Sequence, residues 1–217
     1  MHIRSVVAMT ALAAAMTAVL AAQAVPDVKL PPSPPGQAAV QLGGRWEKLA
    51  EGGQRYVDGK WVVVDYSRPL LRGRTNIFGA GADYGKTVMA GAAIWRAGAN
   101  DTTRLTTQAA LQIGDKTIAP GVYNVFADLK AGQWTFVLNT QPVQPKFDPE
   151  DKVRLSGATN YDAKFDVLRV PMTVASRADS LEQFTIAFAN VTVNTAKLIM
   201  SWEKTVASVD LRLAGAK

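Results

Sequence analysis

The sequence predicts an all-β fold: a single-domain antiparallel β-sandwich of jelly-roll or immunoglobulin-like type. Three observations carry that expectation. Apolar and polar residues alternate in one short run after another from Trp61 to the C-terminus. Glycine-bearing turns separate several of those runs. No stretch after the first two dozen residues carries a long helical periodicity, which leaves sheet packed on sheet as the layer architecture.

The elements follow in chain order. His2 and Arg4 make a short basic start, and Val6 to Ala22 is apolar apart from Thr10 and Thr17. Ala22-Gln23-Ala24 then supplies the small-x-small pattern of a signal peptidase site, so residues 1–24 read as a cleaved secretory signal. The rival reading is an uncleaved anchor, but the run of about 17 residues sits at the short edge of a membrane span. Export to the periplasm or beyond is expected, with no transmembrane segment after cleavage. Residues 25–37 hold four prolines between Pro31 and Pro35 and read as an extended, semi-rigid linker. The domain is expected over residues 38–217.

Within it, Trp61 alternates with Val63 and Asp65, while Val62, Val64 and Tyr66 take the opposite face; the pattern leaves open which face is buried. Gly114-Asp115 separates Leu111–Ile113 from Lys116–Ile118, and Lys130-Ala131-Gly132 separates Val122–Leu129 from Gln133–Asn139; both read as hairpins. Trp134, Phe136 and Leu138 mark an inner face, with Gln133, Thr135 and Asn139 on the outer one. Leu168, Val170, Met172 and Val174 alternate around Pro171, which cannot donate to a ladder and therefore predicts an edge strand. Phe184-Ile186-Phe188, Leu198-Met200-Trp202 and Val209-Leu211-Leu213 read as three further strands.

Composition removes whole classes of chemistry. The 217 residues contain no cysteine and one histidine, His2, inside the expected signal. Ser-His-Asp and Cys-His relays, zinc sites of nitrogen and sulfur ligands, and disulfide staples are all excluded from the exported chain. Net charge is +6, without a dense basic run interleaved with aromatics, so no nucleic acid partner is expected. Gly79-Ala80-Gly81 lacks the spacing and βαβ context of a dinucleotide loop. The acidic stretch Asp148, Glu150, Asp151 with Asp162 and Asp166 lacks the alternating ligands and central glycine of a calcium loop. Neither a cofactor nor a metal is expected.

One region concentrates polar and aromatic groups: Tyr66, Arg68, Arg72, Arg74, Tyr84, Trp95, Arg96, Asn100 and Asp101. Guanidinium groups suit planar carboxylates and phosphates, and Tyr and Trp faces suit sugar rings, so an anion-binding cleft is one reading. The other is a structural network, with Asp65 paired to Arg68 or Arg96, Trp95 a core anchor, and Gly98 and Asn100 a turn.

The motifs Asp65–Pro69 (DYSRP), Gly73-Arg74, Ile77-Phe78-Gly79, Tyr84-Gly85-Lys86, Trp95–Asp101 (WRAGAND) and Ala119–Phe126 (APGVYNVF) occur in that order. In this the chain resembles a family of exported bacterial proteins known only as a domain of unknown function. The resemblance implies a β-sandwich and an envelope location, and it supplies no activity. Two departures stand out: Thr87 to Ile94 separates elements nearly adjacent in the family, and Gly44 to Lys60 looks inserted.

The expected role is a non-catalytic binding or interaction module for an anionic envelope ligand, a glycan or a carboxylated metabolite. A carboxylate-dependent hydrolase using Asp65, Asp83 or Asp101 is the alternative from another class, and a purely structural envelope protein the third. The signal reading is tested by N-terminal sequencing of exported material: the mature chain is expected to begin at Val25, and a start at Met1 overturns cleavage.

Overall fold

The computed structural model describes residues 27–216, so the expected signal and its cleavage site lie outside the described residues. Among the described residues twelve strands form: β1 (Pro35–Leu42), β2 (Arg45–Lys48), β3 (Gln54–Val57), β4 (Lys60–Ser67), β5 (Arg104–Thr107) and β6 (Leu111–Ile113). They continue as β7 (Lys116–Ile118), β8 (Gly121–Asp128), β9 (Thr135–Asn139), β10 (Asp166–Pro171), β11 (Thr173–Ala189) and β12 (Thr195–Leu213). A six-stranded sheet, β1-β4-β5-β8-β9-β10, packs on a four-stranded one, β11-β12-β6-β7, and every pairing within them is antiparallel. The sequence Gly44 to Lys60 folds as its own hairpin, β2 with β3.

Period-2 alternation builds the core. Val40, Leu42, Val62, Val64, Leu105, Val125, Phe136 and Leu138 from the larger sheet meet Ile113, Phe184, Leu198, Met200 and Leu211 from the smaller one. Each fully buried side chain of this size contributes roughly 1.5–3 kcal/mol, which carries the fold where no disulfide can. In β4 the buried face is Val62, Val64 and Tyr66, and Trp61 points outward. Both expected hairpins form; Gly114 turns the first with φ 60°, a left-handed conformation that glycine adopts at no steric cost. β10 is an edge strand, where the missing N–H of Pro171 is harmless.

Three strand expectations are corrected. Leu168 to Val174 is not one strand: β10 ends at Pro171 in the larger sheet, and β11 begins at Thr173 in the smaller one. Leu198–Trp202 and Val209–Leu213 are one strand, β12, whose middle residue Glu203 takes φ 51° where the register against β11 shifts. That bulge lets one long strand twist along the whole sandwich. Pairing of β1 also starts at Pro35, inside the proline-rich segment.

The outer face of β9 is covered rather than solvated. Val137 packs with Ile94, Phe126, Leu155 and Ala158 in a second small core, and Asn139 is buried beside it. The segment from Thr140 to Phe165 makes this cover and is held by buried amides. Asn124 Nδ2 donates to Gln141 O at 2.8 Å, and Gln141 Nε2 donates to the Val153 and Asn160 carbonyls at 2.7 Å each. Asp151 closes its far turn by accepting from the Val153 and Arg154 backbone N–H groups at 2.9 Å. Its carboxylate also pairs with Arg154, and together these hold its pKa at about 2. Asp148 and Asp151 thus spend their carboxylates on turn backbone.

A pH dependence follows. Asp151 has a folded pKa below its ordinary 3.8, so its stabilisation is present above pH 3.8 and is lost as pH falls toward 2. Thermal unfolding of wild type and Asp151→Asn is expected to differ at pH 7 and to converge near pH 2.

Candidate functional site

The arginine- and aromatic-rich region gathers at one end of the sandwich, around Phe78. Its ring meets Trp134 at 4.8 Å, Trp95 at 5.6 Å and Trp202 at 6.2 Å between centroids, all edge to face, the geometry aromatic quadrupoles prefer. Each polar edge in the cluster has a partner. Trp134 Nε1 donates to Tyr84 Oη at 2.8 Å, Trp95 Nε1 to Gly98 O at 3.3 Å, and Tyr66 Oη to Ile186 O at 3.1 Å. Trp95 is 1% exposed and anchors the core, and Tyr84 serves by fixing Trp134.

The stretch from Arg68 to Gly79 crosses this end without a strand of its own, so its backbone donors need partners from elsewhere. Two carboxylates on the opposite sheet supply them. Glu182 Oε1 accepts from Arg72 N at 2.7 Å; Glu203 accepts from Asn76 N at 2.5 Å and Ile77 N at 3.0 Å. The left-handed backbone at Glu203 belongs to the bulge beside Leu181, next to Glu182.

The four arginines do not converge on one cleft. The Arg68 stem packs against Gly36, and its guanidinium donates to Thr185 Oγ1 at 3.3 Å. Arg72 reaches the Pro32 carbonyl at 3.4 Å. Arg74 donates to Leu71 O at 2.9 Å and Leu70 O at 2.6 Å, with its guanidinium 5.9 Å from the Trp202 ring centre. Arg96 donates to Asn100 O at 2.7 Å, and Asn100 Nδ2 donates to Ser33 O at 3.4 Å. Asp65 pairs with neither Arg68 nor Arg96; it accepts from Gln37 Nε2 at 2.7 Å. Among the described residues none of these four arginines forms an ion pair with a carboxylate.

Arg74 and Arg96 do share a cavity of about 220 Å³, with Trp95, Trp202, Thr87 and Ser33 among its lining. On its other side Arg96 borders a second hollow of about 350 Å³, walled by Met89–Ala93 and by Ala158–Tyr161. Both hollows are framed by the Thr87–Ile94 segment, a single helical turn (Lys86–Met89) followed by left-handed Ala90 and Gly91. Ile94 plugs the second core and pins the segment's end. Burial draws the Arg96 pKa below the ordinary guanidinium value, and Asp101 partly offsets this. Burial thus disfavours the Arg96 charge, and an added anion would favour it.

Of the candidates, then, Arg74, Trp95 and Arg96 line one cavity, while Tyr66, Arg68, Arg72, Tyr84 and Asn100 support the surrounding structure. Trp202, Glu182 and Glu203 belong to the site region without having stood out in the sequence. They lie more than a hundred residues from the loop they serve, beyond any local pattern. Of the hydrolase candidates, Asp65 is on β4 and accepts from Gln37, Asp83 pairs with Lys86 at 2.7 Å, and Asp101 acts electrostatically on Arg96. None of the three lines the Arg74–Arg96 cavity. Among the described residues no group of three or more acidic, His or Cys side chains is placed to hold a metal ion, and no helix is long and apolar enough to cross a membrane.

A family model described as "Protein of unknown function (DUF2911)" matches residues 50–211. No curated protein and no solved structure matches the chain.

The clamp on the loop is testable. Glu203→Ala removes the acceptor of two backbone N–H groups, one of them on the buried Ile77, at a cost of about 1–3 kcal/mol. The thermal midpoint is expected to fall by several degrees. Glu203→Gln, which keeps a carbonyl acceptor, is expected to fall between the two.

Proposed function

Since the chain belongs to the DUF2911 family, whose description assigns no activity, we propose a function from the site itself: a non-catalytic module that binds a small anionic ligand in the cell envelope. The observation that carries this reading is the pairing of Arg74 and Arg96 on one cavity where, among the described residues, neither forms an ion pair and Asp101 offsets only part of the burial of Arg96. Each guanidinium spends one or two donors on backbone carbonyls, which orients it, and retains others for a guest. A planar carboxylate or a phosphate matches that fork geometry. Trp95 and Trp202 border the cavity but are buried, so recognition rests on the two guanidiniums.

Size narrows the ligand. At about 220 Å³ the cavity is smaller than the roughly 300–1,000 Å³ of a drug-sized pocket, which favours one acidic ring over a polymer. With no cysteine anywhere and its only histidine at position 2, the exported chain offers no nucleophile–base pair of the common kind. Export itself rests on the N-terminal pattern of residues 1–24.

The test is a thermal-shift series with glucuronate, N-acetylmuramate and glucose 6-phosphate. A ligand at about 100 times its Kd adds about 2.7 kcal/mol, enough to raise the midpoint by several degrees. The shift is expected to vanish in Arg96→Ala and to weaken in Arg74→Lys, which keeps the charge and loses the fork. A shift untouched by either variant, or no shift with any of the three, overturns the assignment.

A further inference from the structure

A second surface lies on the outside of the larger sheet and on the inserted hairpin. Trp46 on β2 stands opposite Tyr56 on β3 in the ladder, their rings 5.4 Å apart at 64°. Tyr56 is locked from behind, since its Oη accepts from Gly44 N at 3.0 Å. Trp46, by contrast, is 66% exposed. Next to them Gln41 points outward from β1, and its ladder partner on the same outward face is Trp61, 44% exposed. Gln108 flanks Trp61, its Oε1 accepting the Trp61 N–H at 2.9 Å. Gln41, Trp46 and Tyr56 line a shallow groove of about 490 Å³ whose far wall is Val191 and Val193.

Trp46 is braced by the Tyr56 ring, and Trp61 is fixed at its backbone by Gln108; burial of either exposed indole would be favourable. Much of the charge around them is paired: Arg45 with Asp58 and with Glu47 at 3.6 Å, and Arg55 with Glu47 at 3.0 Å. Lys48 and Lys60 form no ion pair among the described residues and leave a small positive excess, so what marks the patch is its rings and its amide rather than its charge. The Gln41 side chain makes no hydrogen bond among the described residues, which leaves an amide donor and acceptor beside the rings. Flat aromatic faces next to free amide groups match a molecule that is C–H-rich on its faces and hydroxyl-rich on its rim.

We propose that the Trp46–Tyr56–Gln41–Trp61 surface binds a neutral saccharide chain of equatorially linked pyranose rings. Its rings stack on Trp46 and Trp61 through their axial C–H faces, and the Gln41 amide takes a ring hydroxyl. The shallow groove accepts a polymer lying along the sheet, whereas the hollow at Arg96 is smaller and deeper-set, at about 220 Å³ against about 490 Å³. This site is independent of the anion reading.

The experiment is calorimetric titration of the mature protein with cellohexaose and with chitohexaose. Binding of at least one is expected. Trp46→Ala and Trp61→Ala should each weaken it about tenfold or more, with thermal midpoints near that of wild type because both rings are exposed. Arg96→Ala should bind the oligosaccharide unchanged. The proposal is overturned if neither hexasaccharide binds, if both tryptophan variants bind as wild type does, or if Arg96→Ala abolishes binding. It is equally overturned if Trp46 instead governs co-sedimentation with phosphatidylglycerol vesicles, or a dimer seen by sedimentation velocity, while neither hexasaccharide binds.

Discussion

The region's geometry depends on the satisfaction of one strandless stretch, Arg68 to Gly79, by carboxylates from the opposite sheet. Backbone that leaves a ladder must find other partners or stay in water. Here Glu182 and Glu203 reach across from neighbouring positions of the β11–β12 bulge and take the Arg72, Asn76 and Ile77 N–H groups. Leu71 and Phe78 can then go inward, and Phe78 becomes the hub on which Trp95, Trp134 and Trp202 converge. The bulge therefore does two things: it lets β12 run the length of the sandwich, and it aims the Glu203 carboxylate at the loop.

The same arrangement decides which arginines keep their charge available. Carboxylates that might have neutralised them are spent on backbone donors, and the guanidiniums are oriented by carbonyls, which carry no net charge. Arg96 is the most constrained. Gly157 packs on it so closely that a Cβ there would collide with the guanidinium and stand 2.7 Å from the Asn100 carbonyl. A partly desolvated cation is costly, and Asp101 offsets only part of that cost at Arg96.

Much of the fold is legible from alternation alone, because a two-residue period states which side chains face inward without reference to any partner. It cannot say where a strand changes sheet. Met172 has the same apolar character as Leu168 and Val170, yet the chain leaves the larger sheet there. Nor does it show that Val137 is covered, since the cover comes from Ile94, Leu155 and Ala158 in loops with no period. The candidate site divides in the same way. Arg74, Trp95 and Arg96 stood out by residue type within thirty positions of one another, whereas Trp202 and Glu203 look like ordinary members of an alternating strand. Their roles come from contacts across well over a hundred residues, and only tertiary structure makes those.

The proline-rich segment shows how composition can be read correctly and still understate a role. Proline has no N–H to donate, so Pro31 to Pro34 joins no strand, and the chain bends at Pro32 and Ser33 before β1 begins at Pro35. A segment outside helix and sheet keeps its carbonyls free as acceptors. Those carbonyls are what Arg68, Arg72 and Asn100 use: Arg68 N donates to Pro34 O at 2.9 Å, and the Arg72 and Asn100 side chains reach Pro32 O and Ser33 O. The feature that makes the segment a poor strand makes it a good neutral partner for cations. Ser33 consequently becomes part of the wall of the Arg74–Arg96 cavity. The strap thus holds the Arg68 backbone, Arg72 and Asn100 without neutralising any charge, while Arg74 and Arg96 on the cavity are oriented by the Leu70, Leu71 and Asn100 carbonyls.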